Sequence, residues 1–207
     1  MNTRLLLIIA SVIALSACGG AEERKSVYME KAITSIESGD LDKARIELKN
    51  VLQIDPKDGE AYYQIGKVYE QQEKYRKAYG SYLKAEELSP DLLENHGRLG
   101  RFYLLLMKEV DHAQEKVDLI LSKAPDNSDG LMLKAALNLH NKDKAAAIDI
   151  AKGVVERGPV NVEAVSFLAG LYVSDKQIED AINLLDRALK DKPDNESLNK
   201  LLAATLV

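Results

Sequence analysis

Chemistry in this chain would have to come from very few side chains. It has one thiol, Cys18, and three imidazoles, His96, His112 and His140. A lone cysteine cannot close a disulfide within the chain, and without a CxxC pair it offers no redox couple or zinc site. A single thiol can still accept an acyl group. His112 and Glu115 stand three residues apart, on one face if the segment is helical, which is half of a metal site at most. The other two imidazoles fall in different stretches. Gly97 and Gly100 lie inside a helical pattern rather than after a strand, so they do not make a phosphate-binding loop. No nucleophile has a base held beside it. These residues predict no catalytic group, no metal and no cofactor: a protein that is not an enzyme.

The surroundings of Cys18 are more informative. Arg4 gives a short positive start, and residues 5–17 are apolar except for Ser11 and Ser16. The run has the length of a secretory signal's core and is too short to span a bilayer comfortably. It ends Leu15-Ser16-Ala17-Cys18-Gly19-Gly20, which resembles the bacterial lipoprotein signal. That resemblance implies cleavage before Cys18 and lipidation of its thiol and new amino group. It divides the chain into a signal peptide at 1–17, a lipidated cysteine with a short tether at 18–25 and a folded domain at 26–207. Gly19 stands where an aspartate would signal inner-membrane retention, so the resemblance implies a lipid anchor on the periplasmic face of the outer membrane. Losing Arg4 would take the formal charge from −5 to about −6. Charges of both signs are interspersed and no basic stripe exists, so nucleic acid is not an expected partner.

The rest of the chain is periodic. Its five prolines, Pro56, Pro90, Pro125, Pro159 and Pro193, are separated by 34, 35, 34 and 34 residues. Proline cannot continue a helix, so a fixed spacing of this kind punctuates helix pairs. Within residues 59–92, Tyr62, Ile65, Gly66 and Tyr69 share one helix face. Ala78, Tyr82 and Ala85 fill the next helix, and Pro90 closes the unit. Small residues fall where two axes approach, and large ones fill the space between. The same register recurs at 25–58, 93–127, 128–161 and 162–195, with the extra residue of the third unit expected in the loop near Lys108-Glu109, where insertion is cheap. The pattern resembles the tetratricopeptide repeat. It implies an all-α, right-handed α-solenoid of about five helix-turn-helix units plus a terminal half-unit. The expected helices span 26–38, 41–54, 60–72, 75–88, 92–107, 110–123, 128–141, 143–157, 162–174, 177–191 and 195–206. Asp40, Asp91, Asp126, Asp143, Asp175 and Asp194 lie near their starts, where capping favours them. The last helix either caps the array or opens a further repeat.

In such an architecture the first helix of each pair lines a concave face. The side chains left over from packing are then the binding candidates: Met29, Ile33 and Ile36, then Tyr63, Lys67 and Glu70, then Arg101 and Leu104, then Met132. Methionine and isoleucine suit varied apolar side chains, and Lys67 with Arg101 could meet a partner's carboxylate. Equally, Met29, Ile33 and Ile36 could complete the core. The Lys and Asn pattern that grips a carboxyl terminus in chaperone-binding relatives is absent, since Met29 and Ile33 fill its first slots.

Residues 39–56, from Gly39-Asp40-Leu41-Asp42-Lys43-Ala44 to Ile54-Asp55-Pro56, together with the lipoprotein signal, resemble the N-terminal part of the tetratricopeptide lipoprotein of the PEP-CTERM/exosortase system. That family accompanies exopolysaccharide synthesis and export. The resemblance implies a scaffold that binds protein or peptide partners in the cell envelope, in exopolysaccharide export or protein sorting. A lipid-anchored chain of five to six repeats is also similar to the type IV pilus pilotin, which implies secretin assembly instead.

Overall fold

The computed structural model describes the backbone of residues 3–206 and the side chains of residues 20–206. Among the described residues there are eleven α-helices, one π-helical segment and no strand. The chain divides into two compact units, residues 1–99 and 100–207. The first holds α1 (Thr3–Glu37), α2 (Leu41–Ile54), α3 (Gly59–Gln71), α4 (Tyr75–Leu88) and most of α5 (Leu93–Arg101). The second holds the end of α5, the π-helical turns Phe102–Met107, α6 (Val110–Lys123), α7 (Ser128–His140), α8 (Lys144–Val155), α9 (Val162–Ser174), α10 (Ile178–Asp191) and α11 (Glu196–Thr205).

Within each unit, successive helices pair as hairpins around alanines. Ala44, Ala78, Ala113, Ala147 and Ala181 have no exposed surface and recur every 34 or 35 residues on the second helix of each pair. In the first unit Ala32, Ile36, Leu48, Val51 and Val68 join them in one cluster, with Tyr28, Met29 and Ile65 packed against it. In the second unit a cluster runs from Met132 on α7 to Leu198 on α11. Leu198 is the residue that α11 buries, while Leu206 stays exposed. Pro56, Pro90, Pro125 and Pro193 each fall two residues beyond a helix end, as the repeat requires.

The caps refine the sequence reading. Asp40 and Asp143 cap α2 and α8 through their side chains, as expected. Asp58, Asn127, Asn161 and Asn195 cap α3, α7, α9 and α11 instead of the neighbouring aspartates Asp126 and Asp194. Asp175 follows the end of α9 and pairs with Lys144. The turn inside every hairpin uses a left-handed residue: Gly39, Glu73, Lys108, Lys142 and Lys176, at φ between 58° and 78°.

Two differences from the sequence reading concern α1 and α5. Helix α1 does not begin at residue 26; residues 19–25 are helical as well. Lys25 explains the packing of this stretch, since its ammonium meets Glu22 at 2.9 Å, Asp58 at 3.2 Å and Asp55 at 3.4 Å. Glu22 first, against the cost of burial, and then Asp58 hold Lys25 above the usual lysine range.

The second difference is the extra residue of the third repeat. It is not in the loop at Lys108-Glu109. In the preceding hairpin the Lys74 N–H reaches the Tyr69 carbonyl, five residues back, whereas the Glu109 N–H reaches the Tyr103 carbonyl, six back, at 2.8 Å. The insertion therefore lies between Tyr103 and Lys108, and the helix widens into π turns to hold it. Leu105, Leu106 and Met107 are left 66%, 52% and 37% exposed.

Two outcomes test this packing. A Cβ at Gly66 would collide with the fully buried ring of Tyr82, so Gly66→Ala should lose about 1–3 kcal/mol by denaturant titration. An unchanged midpoint would mean the α3–α4 contact is looser than described. Deleting Leu105 restores a 34-residue unit, so the variant should keep its helical circular dichroism and cooperative melting; loss of the fold would contradict the assignment of the π turns to the insertion.

Candidate functional site

The first unit carries two adjoining depressions on its α3 face. One is a trough of about 470 Å³ beside α1, with Met29 and Ile33 forming its apolar floor. Its rim is charged: Glu22, Glu30, Asp58 and Glu60, with Lys25 among them. Asp58 is placed by its own capping role, accepting the Ala61 N–H at 2.8 Å, and Glu60 accepts from Gln64 Nε2 at 2.7 Å. Lys25 is already shared between Glu22, Asp55 and Asp58, so the rim keeps an excess of negative charge.

The second depression, about 270 Å³, is lined by Lys67, Glu70, Gln71, Tyr75 and Arg98. Glu70 is its organiser. Tyr82 Oη donates to one carboxylate oxygen at 2.5 Å, and Arg98 Nη1 donates to the other at 3.3 Å. Burial first, then Glu70, pushes the Tyr82 phenol far up. Burial alone would weaken the charge of Arg98, but Glu70 and the phenols of Tyr82 and Tyr63 outweigh it and raise it. Lys67 lies 5.6 Å from the centre of the Tyr63 ring, and burial, aided by Arg98, holds its ammonium below the usual lysine value. Arg98 pairs with Glu70, and Lys67 feels that carboxylate only at longer range, as it does Glu60 and Glu37, so the lining itself holds two cations and one carboxylate.

The sequence candidates divide accordingly. Met29, Ile33, Lys67 and Glu70 line these depressions. Ile36 and Tyr63 are buried: Ile36 in the α1–α3 core, and Tyr63 against the ring of Tyr82, 6.0 Å between centres. In the second unit Leu104 and Met132 are buried as well, Met132 within the cluster of α7 to α10. Arg101 is not available to a partner's carboxylate as expected. Its guanidinium already meets Glu163 at 2.7 Å and Asp129 at 3.5 Å. The cation beside Lys67 is instead Arg98, which the sequence reading missed, as it missed Glu30, Gln71 and Tyr75. Helical period gave no sign of this: Arg98 and Arg101 stand three residues apart on one helix, and only the fold shows which of them turns to Glu70. The Cys18 side chain lies outside the described residues.

Two of the three imidazoles have partners within the fold. His96 is buried and donates Nε2–H to the Pro90 carbonyl at 2.8 Å. His112 faces Glu109 at 3.2 Å and stacks on Tyr103, so the His112 and Glu115 pair is not what this helix assembles. Among the described residues no three His, Cys, Asp or Glu side chains gather as a metal site. Among them, too, no helix is long and apolar enough to cross a membrane.

Comparison with known proteins agrees with this architecture. Family models described as tetratricopeptide repeat match residues 59–92 and 139–205, and one described as TPR repeat matches residues 36–73. The chain is a tetratricopeptide-repeat protein, and its fold is that of a protein-interaction scaffold. Residues 93–138, which contain the 35-residue unit's insertion, fall between these matches. Among solved structures, a thermophilic TPR protein of Thermus thermophilus is similar with a TM-score of 0.76 and 18% identity, over 88% of this chain and 98% of that one. PilF of Pseudomonas aeruginosa is similar at TM-score 0.64 and 16% identity, over 90% of each chain. PilW, described as a widely conserved type IV pilus biogenesis factor, is similar at 0.66 and 18%, over 88% of this chain and 86% of that one. No curated protein matches the sequence.

The buried phenol gives a pH prediction. Tyr82 stays neutral in the folded state, while in the unfolded chain it ionises near pH 10, so the unfolded state binds fewer protons above that value and stability falls as pH rises. Stability of Tyr82→Phe should fall less steeply between about pH 10 and 12. Equal slopes in denaturant titrations of the two proteins would remove this phenol as a contributor.

Proposed function

We propose that this protein is a membrane-anchored adaptor of the bacterial envelope, tethered through lipid on Cys18, which holds protein partners on the α1–α3 face of its first unit. The observation that carries the reading is the position of the trough. Its floor, Met29 and Ile33, follows the lone cysteine by eleven and fifteen residues. An anchor at Cys18 would hold the trough close to the bilayer, within reach of membrane-bound partners or their periplasmic segments. Several acyl chains on one cysteine give a firm anchor, where one chain alone binds weakly. The process we assign is exopolysaccharide export or PEP-CTERM protein sorting, on the wording of residues 39–56. A second reading, assembly of a type IV pilus or its secretin, is supported by the likeness in fold to PilF and PilW.

Labelling cells with radioactive palmitate tests the anchor. The wild-type chain should take up label and sediment with outer membranes, and Cys18→Ser should do neither; equal labelling of the two would remove the lipid anchor. Cross-linked complexes from solubilised membranes then decide the process. Export or sorting components support the first reading, a deletion strain with lost secretin multimers supports the second, and recovery of cytoplasmic proteins alone contradicts both.

A further inference from the structure

Helix α3 has opposite charges along one face. Glu60 closes the α1–α3 trough, and Lys67 opens the neighbouring depression. Seven residues separate them, two turns of helix, so their Cα atoms are about 10 Å apart along the axis. At the Glu60 end the rim holds four carboxylates, Glu22, Glu30, Asp58 and Glu60, against the single ammonium of Lys25. At the Lys67 end the lining holds two cations, Lys67 and Arg98, and one carboxylate, Glu70, which is already engaged by Tyr82 and Arg98; Glu60 and Glu37 act on Lys67 from outside that lining.

The two ends select different groups. A lysine or arginine can lay its methylene stem on Met29 and Ile33 while its charged head meets the carboxylates of the rim. A methionine floor accommodates an apolar neighbour of varied shape. A carboxylate is repelled from that rim but is matched by Lys67 and Arg98, where it would supply the second anion that the pair lacks. An extended peptide advances about 3.3 Å per residue, so the two ends are about three residues apart on a bound strand.

We propose that the first unit docks an extended protein segment in which a lysine or arginine, beside an apolar residue, precedes or follows an aspartate or glutamate by about three residues. The cationic residue occupies the α1–α3 trough, and the acidic one meets Lys67 and Arg98. This rests on the reading of the first unit as a partner-binding face, and it adds the chemistry of the partner. A polyanion does not fit, because the larger trough carries excess negative charge. Burial and Arg98 lower the Lys67 pKa against the opposing pull of Glu60, Glu37 and Glu70, so a further negative charge beside it would be favoured.

The test uses the full chain in mild detergent and a set of blocked, fluorescein-labelled ten-residue peptides. Each carries one arginine beside one leucine and one glutamate, with the arginine-to-glutamate separation varied from one to six residues. Binding, read by fluorescence anisotropy, should be tightest at separations of about three and weaken with added salt. Arginine→glutamine or glutamate→glutamine in the best peptide should weaken it about tenfold. In the protein, Glu30→Lys with Glu60→Lys should remove the preference for arginine and retain that for glutamate. Lys67→Glu should do the reverse. Circular dichroism verifies that the variants fold. Binding that ignores charge and separation, or no binding by any member of the set, overturns the proposal. The adaptor reading fails on a different result, when no envelope protein is captured by the wild-type chain; capture that survives both charge reversals retains the adaptor and removes this docking mode.

Discussion

Each hairpin of this protein is governed by one close contact between two helices. On the second helix an alanine with no exposed surface, Ala44, Ala78, Ala113, Ala147 or Ala181, lets the helix axes draw together. Only a small residue permits that approach, and the contact fixes the rotation of both helices about their axes. In the second hairpin the first helix contributes its own glycine, Gly66, directly beneath the ring of Tyr82. The rest follows. Once rotation is fixed, the remaining face of α3 is the one that carries Glu60, Lys67 and Glu70 outward, and the depressions form where side chains on that face have no covering helix.

The same contact decides how the third repeat accepts its additional residue. A loop would be the cheap place for it on entropic grounds, and the sequence reading put it there. The hairpin turn, however, is a closed motif with one left-handed residue and a carbonyl bonded across it, as at Glu73, Lys142 and Lys176. The insertion falls upstream of that motif, in the last turns of the first helix. There Leu105, Leu106 and Met107 sit partly in solvent, and widening the helix disturbs no buried alanine. Four of the five turns use Glu or Lys at positive φ rather than glycine, a conformation that costs about 1–2 kcal/mol for an ordinary side chain. The bonds that close the turn offset that cost.

The repeat was legible because glycine, alanine and proline mark backbone requirements that no other contact can alter. The helix boundaries from α2 onward follow the expected ones closely for that reason. The candidate face was legible only in part. Met29, Ile33, Lys67 and Glu70 are where helical period puts them. Tyr63 and Met132 share that period but are covered by neighbours, Tyr82 in one unit and the α7–α10 cluster in the other. Period reports the direction of a side chain and not what lies over it. Arg101 shows the same limit for charge: its two carboxylates lie 28 and 62 residues away, on helices whose proximity only the fold reveals.

The π turns at Phe102–Met107 also bear on how arrays of this kind exchange parts. Whole hairpins cut at their prolines could be swapped without rotating anything downstream. A genetic crossover joining the middle of this helix to that of a sibling repeat would gain or lose only the residue that the π turns absorb. The rotation of every later helix would be kept, so the third hairpin can trade parts with its 34-residue siblings inside a helix as well as at a proline.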